Sequence, residues 1–258
     1  MSPRRTFILS NSYSFKGFNN SFFMRLDFLG IGFGRSGSRW LANCLYEHPE
    51  ISMPKFCLTT EINYFPEEYE IMGLKNYIKK FRGCNFEKVV GEISTLIINE
   101  ERSAKLIKKL FPNTKIIIYK RDDKKRAESL YKRTKYYDLL PAKMEFYDQN
   151  KIINKWINEI GKENIFIMDM ENKNRQEELN KLFKFLGVKE FTPPSLNKKI
   201  NTGYKDKDRK VYRGAKWPFI RKSINFFKYK LREQKKLFYT IKRSFGIDYY
   251  FQWINNRL

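Results

Sequence analysis

One histidine and three cysteines are all that the 258 residues offer as soft metal ligands. A zinc set needs such ligands at fixed spacing, and His48, Cys44, Cys57 and Cys84 do not have it. No serine–histidine triad is drawn around the lone imidazole. An odd number of cysteines builds no closed disulfide framework, so reduced thiols in a reducing compartment are the simplest reading. No segment is long and apolar enough to span a bilayer. Residues 1–23 contain no acid; they hold Arg4, Arg5 and many serines, but lack the continuous apolar core and cleavage pattern of a secretory signal. They are set aside as a tail or targeting segment expected to be disordered, with Met24 just before the first strand, and a cytoplasmic location is expected.

Acids are also scarce. Asp+Glu number 28 against 52 Lys+Arg, a formal charge of +24. Lys198 to Leu258 holds 18 basic and 4 acidic residues, and so carries +14 of it. Such a field draws anions: nucleotides, acidic glycans, nucleic acid or an anionic membrane. A lysine-rich compositional bias shared by the whole chain explains a large part of the excess.

The stretch that is most informative runs from Leu26 to Leu45. An apolar strand, Leu26 to Ile31, passes through Gly30, Gly32 and Gly34 to Arg35-Ser36-Gly37-Ser38. A helical pattern follows, with Trp40, Leu41, Cys44 and Leu45 on one face. Strand, glycine-bearing turn and helix make a phosphate cradle, because the turn brings backbone N–H groups to an anion and the helix N-terminus favours negative charge. The lysine of a Walker A loop is missing after Gly37, and the cation stands earlier, as Arg35. His48-Pro49 closes the helix, and His48 is read as a terminating or packing residue.

Further strands are expected at Lys88 to Thr95, Ile116 to Tyr119 and Asn164 to Glu171. Amphipathic helices are expected at Glu101 to Leu110, Met144 to Ile160 and Glu178 to Leu186, the last two closed by Gly161 and Gly187. Asp122 and Asp123 suit a helix start after Arg121. Strands alternating with helices imply a parallel sheet with helices on both faces, and ligands beyond the carboxyl ends of its strands. From Thr192 to Gly214 prolines, glycines and lysines suggest a loop. Residues 215–258 mix aromatics with lysine and arginine, and are read as a basic helical extension packed on the domain of residues 24–214.

A basic residue, Ser-Gly-Ser and then tryptophan, as in Arg35 to Trp40, resembles the 5′-phosphosulfate loop of the sulfotransferases. Arg121 followed eight residues later by Ser129 has the spacing of that family's 3′-phosphate site. Glu61 with Ile62, Asn63, Tyr64 and Phe65 resembles the K-E-x-H-F-F stretch of sulfotransferases acting on polysaccharides and of many bacterial relatives. Thr60 stands there for the lysine, and Asn63 for the histidine. Lys88 to Thr95 resembles a G-E-K-S-P segment, with Ile93 for its lysine and Thr95 for its proline, and Phe185-Leu186-Gly187 resembles the closing βα unit. The resemblance covers Leu26 to Val188.

It implies a three-layer, P-loop-like α/β sulfotransferase that uses 3′-phosphoadenosine 5′-phosphosulfate (PAPS) and leaves adenosine 3′,5′-bisphosphate (PAP). Arg35, Ser36, Gly37, Ser38 and Arg39 would hold the 5′-phosphosulfate, Trp40 would pack on the adenine, and Arg121 and Ser129 would hold the 3′-phosphate. Glu61 would be the general base, with Glu92 the second candidate carboxylate beside an equal alternative as a buried hydrogen-bonding partner. Lys205, Lys207, Arg209 and Lys210 are candidates for a covering loop. No metal is implied, since Arg35 and the helix terminus can neutralise the charge. The acceptor leans towards a carbohydrate hydroxyl. A P-loop nucleotide kinase or hydrolase is one alternative, and a noncatalytic binder of acidic polymer or membrane is another. Peripheral membrane contact through the basic C-terminus is a further option; no nucleic-acid motif accompanies the tail, and nucleic acid is not expected as a partner.

Overall fold

The computed structural model describes residues 25–58, 61–136, 148–198 and 200. Five strands form one parallel sheet: β1 (Phe28–Gly32), β2 (Ile51–Ser52), β3 (Val89–Ile93), β4 (Lys115–Lys120) and β5 (Ile165–Asp169), in the spatial order β2-β3-β1-β4-β5. Helices α1 (Ser38–Tyr46), α2 (Glu67–Lys79), α3 (Glu101–Leu110), α4 (Asp123–Tyr136), α5 (Gln149–Ile160) and α6 (Arg175–Leu186) alternate with them. The expected parallel α/β architecture is therefore present. Every residue of β1 is buried, and so are the four central residues of β4. A strand buried on both faces reads as a continuous apolar run, which is why Phe28 to Gly32 and Ile116 to Tyr119 are legible without alternation.

Local chemistry sets the helix ends. Asp122 Oδ1 accepts from the Lys125 N–H at 3.1 Å, Asp148 caps α5 through Lys151 N at 3.0 Å, and Asn174 caps α6 through Glu177 N at 3.2 Å. Each satisfies a donor that the first helical turn leaves without an internal partner. The Asn174 cap starts α6 three residues before the expected Glu178. Helix α3 has its expected bounds, while α5 starts at Gln149; residues 144–147 of the expected helix lie outside the described residues. Helix α6 closes at Gly187, whose φ is 81°.

Two elements have no periodic signature. The edge strand β2 has only two residues, and α2 is broken by Gly73, at φ 71° and ψ 173°. The loop expected from Thr192 holds neither helix nor strand in its described residues, 192–198 and 200. The candidate covering cations, residues 1–23 and the extension 215–258 lie outside the described residues. Among the described residues no helix is long and apolar enough to cross a membrane.

The register places Gly32 opposite Tyr119. A Cβ on Gly32 would lie 2.3 Å from the Tyr119 ring and 2.5 Å from its carbonyl oxygen, whereas one on Gly34 would meet nothing within 4 Å. Gly32→Ala is expected to destabilise the fold by about 3 kcal/mol, and Gly34→Ala by less than about 1 kcal/mol. Urea unfolding of both variants checks this; equal midpoints would contradict the packing described.

Candidate functional site

Strands β1, β3 and β4 are neighbours, so the segments leaving their carboxyl ends, at Phe33, Ser94 and Arg121, emerge side by side. The first of them turns sharply. Arg35 has φ 69° and Gly37 φ 86°, so two residues in a stretch of three are left-handed. A non-glycine residue in that region costs on the order of 1 kcal/mol or more, and such strain persists only where the surroundings impose it. Here two arginines impose it. Arg126, 3% exposed, donates from Nε to the Gly34 carbonyl at 2.9 Å and lies 5.4 Å from the Phe33 ring centroid. Arg121 donates from Nη1 to the Arg35 carbonyl at 3.4 Å.

Helix α1 begins directly after this turn with no side-chain cap. Ser36 is 1% exposed, and its Oγ has no hydrogen-bond partner among the described residues. A buried hydroxyl left unsatisfied costs about 1–3 kcal/mol. An orphaned hydroxyl, a left-handed turn and an uncapped helix terminus are together satisfied by a phosphate or sulfate group, so the residues present fit the anion expected there.

The side chain of Arg35 reaches across to α4. Its Nη2 donates to Ser129 Oγ at 2.8 Å and its Nε to the same oxygen at 3.2 Å. Two stretches expected at opposite ends of one ligand thus meet directly. Arg121 donates from Nε to Glu171 Oε1 at 2.8 Å, and Lys125 pairs with the other oxygen of Glu171. Burial raises the Glu171 carboxyl, but the hydrogen bonds from Lys125 and Arg121 outweigh it and hold Glu171 below the usual carboxylate range. Two cations against one carboxylate leave a net positive charge at this edge. Ser38 and Arg39 lie on the first turn of α1, Arg39 exposed. Trp40 is 6% exposed, donates from Nε1 to the Leu196 carbonyl at 3.0 Å, and has the Arg175 guanidinium 5.1 Å from its ring centroid.

Glu61 stands in the loop before α2. Its Oε2 accepts from Asn63 Nδ2 at 3.3 Å, and its Oε1 from the Thr95 hydroxyl. Thr95 Oγ1 lies 2.8 Å from the Tyr119 hydroxyl. Its single hydrogen is committed to Glu61, so Tyr119 is the donor. Glu92, with no exposed surface, accepts from Tyr77 and from Ser94, each at 2.8 Å. Burial raises Glu92 to about 7, against lowering by those two hydrogen bonds and by Lys80. Burial likewise pushes the Tyr77 and Tyr119 hydroxyls well above their ordinary range. His48 is buried; its Nδ1 accepts from the Glu50 N–H at 3.0 Å, so Nε2 donates to the Lys189 carbonyl at 2.8 Å. That is the packing role expected of it.

Arg126, Tyr119, Ser94, Thr95 as a donor, and Glu171 were not singled out by sequence reasoning as site residues. Thr95 had one signal, as a departure from the G-E-K-S-P pattern. Arg126 and Tyr119 had none, being one basic residue in a basic helix and the last apolar position of a strand. Among the described residues no cluster of three or more His, Cys, Asp or Glu could hold a metal ion.

The sequence profile of the sulfotransferase domain matches residues 25–230. A sulfotransferase from Alicyclobacillus acidocaldarius is similar in structure, with a TM-score of 0.54 at 19% identity over 70% of this chain and 88% of that one. The sulfotransferase domain from the curacin biosynthetic pathway aligns at TM-score 0.44 and 18% identity, over 67% of this chain and 77% of that one. Mouse sulfotransferase SULT7A1, complexed with PAP, aligns at 0.45 and 17%, over 66% and 62%. At 19% identity the likeness to the first of these is one of fold. No curated protein matches the chain.

Glu92 has a consequence for pH. Its carboxyl stands at about 7 in the fold against an ordinary 4.5, so the folded state binds the proton more tightly. That contribution to stability is full below about pH 4.5 and is lost as pH rises through about 7. Relative to Glu92→Gln, the wild type is therefore expected to lose about 3 kcal/mol of stability between pH 4.5 and 7.5. Chemical denaturation of both proteins across that range measures it; a constant difference would contradict the burial described.

Proposed function

This chain is a member of the sulfotransferase domain family, and on that premise we propose that it moves the sulfuryl group of PAPS to a hydroxyl or amine of a carbohydrate acceptor. The observation that supports the donor is the convergence of Arg35 with Arg121 and Ser129, which stand 86 and 94 residues further along the chain, beside the unpartnered Ser36 hydroxyl and the uncapped start of α1. PAPS supplies an activated sulfuryl group and two anionic ends. In this reading Arg35, Ser36, Gly37, Ser38 and Arg39 hold the 5′-phosphosulfate, with Trp40 beside the adenine. Arg121 and Ser129 hold the 3′-phosphate. Glu171 keeps Arg121 and Lys125 together as a paired positive edge.

Glu61 is the base. It takes the proton from the acceptor as the acceptor atom bonds to sulfur. Arg35 and the N-terminus of α1 carry the negative charge that the departing phosphate oxygen acquires as its bond to sulfur breaks. The donors from Asn63 and Thr95 hold the two oxygens of this loop carboxylate. Resemblance of the Glu61 stretch to polysaccharide-acting enzymes, together with the +24 charge, supports an acidic glycan as acceptor.

Calorimetric titration is expected to show PAP binding without Mg²⁺, and in preference to ATP with or without it. Arg35→Ala and Arg121→Ala are each expected to weaken PAP by about 10- to 100-fold, the loss of one charge-assisted hydrogen-bonding group. Glu61→Gln is expected to abolish transfer of label from PAPS to host glycans while leaving PAP affinity within about twofold. A preference for Mg-ATP would overturn the donor assignment, and an active Glu61→Gln the base.

A further inference from the structure

Asn63 touches both carboxylate systems of the site, and it does so from a strained backbone. Its φ is 45°, a left-handed conformation that asparagine adopts more readily than most residues. Its backbone N–H donates to Ser94 Oγ at 2.8 Å. Ser94 is fixed in turn: its own N–H donates to the Gly30 carbonyl of the central strand at 2.7 Å, and its hydroxyl hydrogen goes to Glu92 Oε2. From this anchored turn the Asn63 side chain delivers Nδ2 to Glu61 Oε2 at 3.3 Å.

We propose that Asn63 is a positioning residue for Glu61, and that Ser94, held by the buried Glu92 carboxyl, sets the turn from which Asn63 acts. The proposal rests on the reading of Glu61 as the base. An asparagine amide does not titrate, so its contribution is orientation. Glu61 lies on a loop, where a carboxylate is held only by what its oxygens accept. Thr95 fixes one oxygen from the end of β3, and Asn63 fixes the other, so the carboxylate plane is defined by two donors from two segments. Glu92 then has a use that needs no contact with substrate. Through Ser94 it ties the loop to the centre of the sheet, and its rise to about 7 accords with a carboxyl sunk in that frame.

The test compares Asn63→Gly, Asn63→His and Ser94→Ala with the wild type, using labelled PAPS as donor and desulfated heparin as acceptor. Glycine keeps the left-handed turn and the N–H to Ser94 but removes the side-chain donor. Histidine keeps a side-chain N–H and tolerates the turn. Asn63→Gly is expected to lower kcat about tenfold, well short of the ~10²–10⁴-fold of losing the base, with acceptor KM and PAP affinity each within about threefold. Asn63→His is expected to recover most of the loss, and Ser94→Ala to share it. Unchanged kcat in an Asn63→Gly protein beside an active wild type overturns the positioning role alone. So does a parallel loss of PAP affinity, or the failure of histidine to recover activity, either of which marks a purely structural turn. A wild type that transfers nothing from PAPS to this acceptor or to host glycans overturns the function and the positioning role with it.

Discussion

A buried central strand must hand the chain to a helix within five residues, and two arginines hold the turn that does it. The carbonyls of Gly34 and Arg35 are bound by Arg126 and Arg121, both from the segment that follows β4. Carbonyl groups tied from one side favour this conformation of the turn and offset the cost of the left-handed φ at Arg35. The start of α1, the burial of the Ser36 hydroxyl and the reach of Arg35 to Ser129 all follow from that hold. The adjacency of β1 and β4 makes it geometrically available, since Gly32 stands opposite Tyr119 and the chains leave the sheet together.

Charge is arranged differently on the two sides of this edge. Towards β5 the cations dominate: Arg121 and Lys125 share a single carboxylate, Glu171, and Arg35 points to a neutral hydroxyl. Towards β3 the carboxylates Glu61 and Glu92 are surrounded by neutral donors, namely Asn63, Ser94, Thr95, Tyr77 and Tyr119. An anion is drawn to the first side. In the proposed reading the proton acceptor, Glu61, stands on the second, held by hydrogen bonds from Asn63 and Thr95. At Glu92 burial outweighs the donors around it, since hydroxyl groups stabilise a carboxylate less than a paired cation does.

The strands and most of the helices were readable because their signals are local. Four-residue apolar runs, an Asp-Asp start after Arg121 and glycine stops at 161 and 187 each act within one turn or one strand. Helix α2 and strand β2 were not readable, because Gly73 breaks the helical period and two residues carry no alternation. The same distinction holds at the site. Arg35 to Trp40, Glu61, Arg121 and Ser129 stand in short motifs. Arg126 and Tyr119 have no motif, since their roles depend on which carbonyl or hydroxyl the fold brings to them.

The amino-acid sequence by itself determined the parallel α/β architecture, the phosphate-type turn and the identity of the principal charged residues, because each rests on side-chain periodicity or on near neighbours in the chain. Only the tertiary structure decided that Arg35 meets Ser129, that Glu171 counterbalances Arg121, and that Asn63 joins Glu61 to the buried Glu92 system. Those contacts span from two to more than ninety residues, and the close one, Asn63 to Glu61, is made from a turn whose Asn63 N–H is held by Ser94, just beyond the end of β3. A sequence records which groups are available; the order of strands in the sheet decides which of them come within hydrogen-bonding distance.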